Sequence, residues 1–313
     1  MPQRLNHDDL EFDVIGDVLE TLRFRGSIFF RSELAAPWGI SLAPVGIPRF
    51  HIALSGDCFV GANGDDAVAV EEMDVVMLPN GNSHWIADQP GRELVASERA
   101  GEACELGDPL FQQGEITNRL MCGLVHFDRE SSHPILDSLP EILHFPKLKP
   151  ADPIWMTVTL IEAEIRHTQN RSGSIVDRLT EVLFLQLLNH HVNKNDGGAG
   201  FLAALRDRRV HRALTLIHQE PNFDWSLQSL GERVGMSRAT LVRHFEDAVG
   251  MAPMKYIVSW RVTKAYNLIK HTSTPLERIA ELVGFASAST LSKAFQRHYD
   301  CTPNQLRRAH RQS

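Results

Sequence analysis

Four side chains in the first half of the sequence are of kinds that hold a transition metal: His51, Cys58, His84 and Cys122. Imidazole nitrogen and thiolate sulfur are the donors zinc takes in tetrahedral sites, and other divalent ions share the imidazoles. Each of the four falls in or beside a short apolar run that reads as a strand. Their convergence therefore depends on how those strands pair, which spacing alone does not determine. The same residue types also occur as hydrogen-bonded core histidines and buried free thiols. Two readings stand side by side: a zinc or other divalent ion held by this set, and a packed interior with no metal. His126 shares strand parity with Cys122 and is a further candidate for the same wall. Trp38, Phe50, Phe59 and Trp85, together with His51, are placed to line or cover a cavity for a small effector.

A different chemistry occupies the last third of the chain. Leu230-Gly231-x-x-Val234-Gly235-Met236-Ser237 is followed by Leu241, Phe245, Gly250 and Pro253. The pattern returns as Ile279-Ala280-x-x-Val283-Gly284-Phe285, then Ser287, Leu291, Phe295, Asp300 and Pro303. The offset is 49 as far as Met236/Phe285 and 50 from Ser237/Ser287 onward, so the second copy has one extra residue in its turn. Self-similarity of this kind points to a duplicated supersecondary unit. In each copy a glycine ends a first helix where a left-handed backbone is easiest. A serine then caps a second helix that buries apolar residues at the i, i+4 step. The outward residues of those second helices are Arg238, Ala239, Thr240, Arg243 and His244 in one copy. In the other they are Ala288, Ser289, Thr290, Lys293, Gln296 and Arg297. Short polar and cationic side chains on such a helix reach base edges and phosphates when it lies in a major groove. The bland alternative is a solvated face of an ordinary bundle, but two matching copies favour a DNA reader.

These residues need elements to carry them, and a chain of 313 residues is long enough for two domains. SIFFRSEL, FHIALSGDCFV, AVAVEEMDVVMLP and RLMCGLVHF read as strands broken by Gly, Pro and Asn. After Pro150 the period becomes helical over Trp155–His167 and Ile175–Val192. The polar, Gly-rich NKNDGGAG reads as a linker. The expected layout is an N-terminal β-rich domain over 1–150, a helical pairing or connecting segment over 151–193, a linker over 194–200 and an all-α domain over 201–313. Charge splits along the same line. The net charge is −7, yet the part from Phe201 onward holds 17 Lys+Arg against 9 Asp+Glu. A basic module joined to an acidic body suits a polyanion partner. No apolar run approaches the roughly 18 residues of a membrane span. The acidic N-terminal residues do not resemble an export signal, and four cysteines without a CxxC fit a reducing compartment, so a cytoplasmic protein is expected. No Ser/His/Asp set or phosphate-cradling glycine loop suggests an enzyme.

The stretches WSLQSLGERVGMSRATLVRHFEDAVGMAP, YIVSWRVTKAYNLI and IAELVGFASASTLSKAFQRHYDCTPNQLR resemble the AraC/XylS-type DNA-binding domain, over about Leu205 to Arg308. The resemblance implies seven helices with two helix-turn-helix units joined by a long helix over Pro253–Lys270. It implies DNA contact at Arg238, Thr240, Arg243, Ser289, Thr290, Lys293 and Arg297, with Arg261 structural or phosphate-facing. Asp300 stands where the second copy usually has glycine. Met73–His84, with its Pro79-x-Gly81 turn before His84, and Phe50–Cys58 resemble cupin motifs, so the front part looks like the cupin-type sensor domain of AraC-family regulators. The usual His-x-His run is absent, since positions 49 and 53 are Arg and Ala. The implied fold is α+β and multidomain, a cupin-like β-barrel followed by an all-α domain with two helix-turn-helix units. The implied function is sequence-specific binding of double-stranded promoter DNA, by a homodimer that responds to a small effector and acts on RNA polymerase.

Overall fold

The computed structural model describes residues 12–62, 67–106, 110–127, 135, 139–167, 173–194 and 200–311. Most of the expected linker lies outside them. The chain divides into two compact units. One gathers residues 24–127 and 139–190, and the other is built chiefly from the N-terminal stretch up to Arg23 and from His191 onward.

Among its described residues the first unit holds ten strands: β1 (Arg25–Leu34), β2 (Gly39–Leu42), β3 (Arg49–Ser55), β4 (Cys58–Gly61), β5 (Ala67–Val70), β6 (Val75–Leu78), β7 (His84–Ala87), β8 (Val95–Ala96), β9 (Asn118–His126) and β10 (Leu143–Phe145). They form two five-stranded sheets, in the orders β1-β9-β3-β6-β10 and β5-β4-β7-β2-β8. The expected closed barrel is not what the described residues show. Among these residues no strand pairing joins one sheet to the other, and side chains fill the space between them. Period-two alternation turns one face of each sheet inward. Leu34, Ala53, Val76, Leu78, Leu120 and Cys122 from the first sheet meet Ile40, Leu42, Cys58, Val60, Val70 and Ile86 from the second in one buried cluster.

A short helix α2 (Ser97–Glu105) follows β8, and two longer ones, α3 (Pro153–His167) and α4 (Ser174–Lys194), belong largely to this unit. Helix α4 buries Val176, Thr180, Leu183, Phe184, Leu187 and Leu188. It crosses β1 so closely at Gly26 that an added Cβ would stand 2.6 Å from the Thr180 methyl. Met156 and Leu160 of α3 and Ile175 and Val182 of α4 remain exposed.

The second unit begins with a helix that the sequence reading passed over, α1 (Val14–Thr21), capped by Asp13, whose side chain accepts from the Gly16 N–H at 2.9 Å. The rest follows in order: α5 (Phe201–Ala204), α6 (Arg208–Gln219), α7 (Leu227–Val234), α8 (Arg238–Val249), α9 (Pro253–His271), α10 (Leu276–Val283), α11 (Ala288–Tyr299) and α12 (Pro303–Arg311). Helix α1 buries Val14, Ile15, Val18 and Leu19 and packs on α6 and α9. Its apolar stripe is satisfied there, so the N-terminal residues join the helical unit rather than the 1–150 segment expected from their place in the chain.

Candidate nucleic-acid interface and sheet interior

Two pairs of helices in the second unit, α7 with α8 and α10 with α11, are built on one local plan. The first helix of each pair ends at a left-handed glycine, Gly235 (φ 70°) and Gly284 (φ 87°). Within α7, Gly231 is required by the turn, since a Cβ there would stand 2.7 Å from the Met236 carbonyl oxygen. The second helix is capped by Ser237 or Ser287, whose Oγ accepts from the N–H of Thr240 or Thr290 at 3.2 Å. In both copies the threonine hydroxyl also bonds the serine, at 2.8 Å and 3.0 Å. Leu241 and Phe245, and Leu291 and Phe295, are fully buried beneath. Helix α8 ends at Gly250 and α11 at Asp300, both left-handed.

The cationic side chains lie outward. Arg238, Arg243, Ser289, Thr290, Lys293 and Arg297 are exposed, while Thr240 is half-buried with its hydroxyl tied to the cap. Arg238 donates to Gln228 of α7, and with Val242, Arg243, Glu246 and Asp247 it lines an open groove. Arg261 of α9 is engaged within the helical unit instead. It donates to the backbone carbonyls of Pro221 and Phe223 at 2.7 Å and 2.6 Å, which makes it structural.

Between the two sheets, the four expected metal ligands come only partly together. His51 Nε2 and His84 Nε2 are 2.8 Å apart, and His51 Nδ1 is 2.9 Å from Cys122 Sγ. His84 Nδ1 lies 2.8 Å from the Asn82 carbonyl, which can only accept. That contact sets every proton in the chain. His84 donates from Nδ1, its Nε2 accepts from His51 Nε2–H, and His51 Nδ1 accepts from the Cys122 thiol. Burial depresses both imidazoles, His51 well below its usual value and His84 to about 4. Burial also raises both thiols, Cys58 to about 12, so the neutral forms this relay needs are the ones present.

The same geometry does not suit a tetrahedral ion. Cys122 sits on the Nδ1 side of the His51 ring and His84 on the Nε2 side, so one ion cannot take all three. Two nitrogens 2.8 Å apart are also closer than two ligands of one zinc at about 2.0–2.1 Å each in tetrahedral array. Among the described residues, no group of three or more His, Cys, Asp or Glu is placed to hold a metal.

Of the other expected lining residues, Trp38 belongs to the inter-sheet cluster and donates its indole N–H to Asn118 at 2.9 Å. Phe50 and Trp85 are on the opposite faces of their strands. Phe50 covers Gly123, where a Cβ would meet its ring at 2.1 Å, and Trp85 covers Gly61 at 2.3 Å. Phe59, next to inward Cys58, alternates outward as well, and His126 is exposed at the end of β9. The sequence reading missed Arg49, which shares the inward parity of His51 and is 6% exposed.

These features define a DNA-binding protein made of a two-sheet module and a helical module with a duplicated, cation-faced helix pair. A family model described as a cupin matches residues 13–193, and one described as a helix-turn-helix domain matches residues 230–309. The chain belongs to the AraC-type transcription regulators that carry an N-terminal cupin domain; it is a DNA-binding regulator and not an enzyme. It is 28% identical over 300 residues to an AraC-like transcription regulator of Streptomyces antibioticus, covering 95% of this chain and 98% of that protein. It is 24% identical over 306 residues to the regulator AlkR of Acinetobacter baylyi, covering 94% and 99%. Among solved structures, ToxT of Vibrio cholerae aligns over 90% of this chain and 96% of its own at 12% identity, with a TM-score of 0.36. No helix among the described residues is long and apolar enough to cross a membrane.

Proposed function

We propose that α7–α8 and α10–α11 are two helix-turn-helix units that read two successive major-groove segments of a promoter. The observation that carries this is the repeated cap: Ser237 and Ser287 hold the starts of α8 and α11 in the same way. Arg243 of α8, and Lys293 and Arg297 of α11, each stand two residues from the buried phenylalanine of their helix and so lie on its far side, while Arg238 is exposed at the start of α8. Arg238 and Arg243 on one helix, and Ser289, Thr290, Lys293 and Arg297 on the other, make the DNA contacts, with Thr240 contributing mainly through the cap. The test is selection of bound duplexes from a random-sequence library by the full chain. A two-part enriched motif is expected, and enrichment of no motif removes the reading.

The inter-sheet interior around Trp38, Arg49 and His51 is the place for a small effector, in a cytoplasmic regulator. The exposed apolar side chains Met156 and Leu160 on α3, and Ile175 and Val182 on α4, suit pairing with a second copy. Such a homodimer would set two DNA-binding units over repeated half-sites and change how RNA polymerase is engaged. Effector binding can shift that arrangement by no more than its differential affinity for the two states. Sedimentation of the full chain and of Leu160→Glu checks the pairing: a dimer is expected, and a monomer for the variant.

A further inference from the structure

The loop between α6 and α7 lies against both helix pairs. On one side it is bound to the first pair. Arg233 of α7 makes a two-pronged ion pair with Glu220, at 2.9 Å and 2.6 Å, and its guanidinium stacks 5.5 Å from the Phe223 ring and 5.0 Å from the Trp225 ring. The Trp225 indole N–H returns to the Glu220 carbonyl at 2.9 Å, which closes the loop on itself. On the other side the loop meets the turn of the second pair. A Cβ on Gly284 would stand 2.7 Å from both the Asn222 Cα and the Pro221 carbonyl oxygen, and 2.9 Å from Arg261 Cζ. A side chain at 284 is thus excluded twice, by the left-handed backbone and by a neighbouring main chain.

Arg261 fastens this junction. It stands in α9, the helix that leaves the first pair and leads to the second, and donates to the carbonyls of Pro221 and Phe223. Two charge-assisted bonds from one planar group fix direction as well as distance. Burial lowers the Arg261 pKa, with Asp224 opposing, so the cation is held in a partly desolvated place for its geometry. The contacts therefore run without a break from the second turn, through the loop, to the first pair.

We infer that Arg261, with Gly284 and the Glu220–Trp225 loop, is a positioning device that sets the distance and phase between the two recognition helices. It thereby sets the spacing between the two parts of the DNA site. Neither Arg261 nor Gly284 needs to touch DNA for this. The inference rests on the two-reader proposal above. Two readers held rigidly bind a correctly spaced duplex with an effective local concentration that a loose pair lacks.

The experiment is selection from a random-sequence duplex library by the full-length wild type, Arg261→Ala and Arg261→Lys, with folding of each checked by circular dichroism. The wild type is expected to enrich two parts at one spacing. Arg261→Ala is expected to enrich the same two parts at several spacings and to bind the optimally spaced duplex about tenfold more weakly, with unchanged affinity for a duplex carrying one part. Arg261→Lys, which keeps the cation and one donor direction, is expected to fall between them. Folded variants that keep the wild-type spacing and affinity overturn the inference, as does failure of both to fold, which would make Arg261 a requirement of the fold. A wild type that enriches one part or none removes the two-reader reading itself, and this inference with it.

Discussion

Each unit buries a hydrogen-bonded relay through histidine, and the two relays end differently. In the sheet unit the relay runs from the Cys122 thiol through His51 and His84 to the Asn82 carbonyl, a neutral acceptor. In the helical unit His218 lies 2.7 Å from Tyr256 OH through Nε2 and 2.7 Å from the Asp17 carboxylate through Nδ1. The carboxylate can only accept, so Nδ1 carries the proton and the phenol donates to Nε2. Asp17 is also paired with Lys264 at 3.1 Å. Burial lowers the pKa of all three histidines, but at His218 Asp17 pushes back, whereas at His51 the neighbouring His84 and Arg49 push further down. One residue type is thus given two acid sensitivities by the group at the end of its chain.

The largest effect expected from this contrast is acid loss of the sheet unit. An unfolded histidine takes up its proton near pH 6.5, while folded His84 resists until about 4. The unfolded state therefore binds more protons in that window, and stability falls as the pH is lowered through it. For His84 alone the loss approaches about 3 kcal/mol at pH 4, and the coupled His51 adds to it. His218 contributes in the same direction but less, because an imidazolium beside Asp17 has a counter-charge. Hydrogen exchange followed segment by segment between pH 7 and pH 4 should show β3, β7 and β9 losing protection before α6 and α9. If the helices open first, the carboxylate does not protect His218.

A smaller effect follows from removing that carboxylate. Burial pushes the Asp17 carboxyl up, but its bonds with His218 and Lys264 more than offset this, and its pKa lies below the usual value. Asp17→Asn keeps the shape and takes away the charge, leaving Lys264 and His218 with a weak partner. The helical unit should lose about 2 kcal/mol, the range of a charged hydrogen bond. Its acid sensitivity should begin to resemble that of the sheet unit. Denaturant unfolding of Asp17→Asn against wild type measures the first, and the exchange profile the second. An unchanged helical unit would mean that α1 is held by its apolar face alone.

What was legible beforehand divides by how local its cause is. Gly235, Gly284, Ser237, Ser287 and Asp300 could each be placed from a few neighbouring residues, because caps and left-handed turns are decided within one turn of chain. The inward turn of His51 and His84 is also within reach of the sequence, but placing Phe50 and Trp85 on the same wall sets them beside their immediate neighbours in the strand. A period of two forbids that, so strand parity applied strictly would have excluded both. Helix α1 carried a signal too: Asp13 as a cap, then Val14, Ile15, Val18, Leu19 and Leu22 at helical steps. Its packing partner about two hundred residues away had none. The same holds for the Arg261 carbonyl clamp and for which side of the His51 ring meets Cys122. Both depend on long-range placement, and neither leaves a mark in spacing.

The smallest pair of effects tests whether the sulfur in one relay does only what the phenol does in the other. Tyr256→Phe removes the O–H that donates to His218 and leaves a buried acceptor without it, for an expected loss of about 1 kcal/mol. Cys122→Ser replaces a weak S–H donor with a stronger O–H of similar size. The extra cost of burying a hydroxyl is then offset by a better bond to His51, and a net change within about 0.5 kcal/mol is expected. Denaturant unfolding of both variants at pH 7.5, with and without added zinc, makes the comparison. If Cys122→Ser costs more than Tyr256→Phe, and zinc stabilises the wild type but not the serine variant, the thiol is serving as a metal ligand. The relay would then be only one arrangement of the site, and the likeness between the two units would end there.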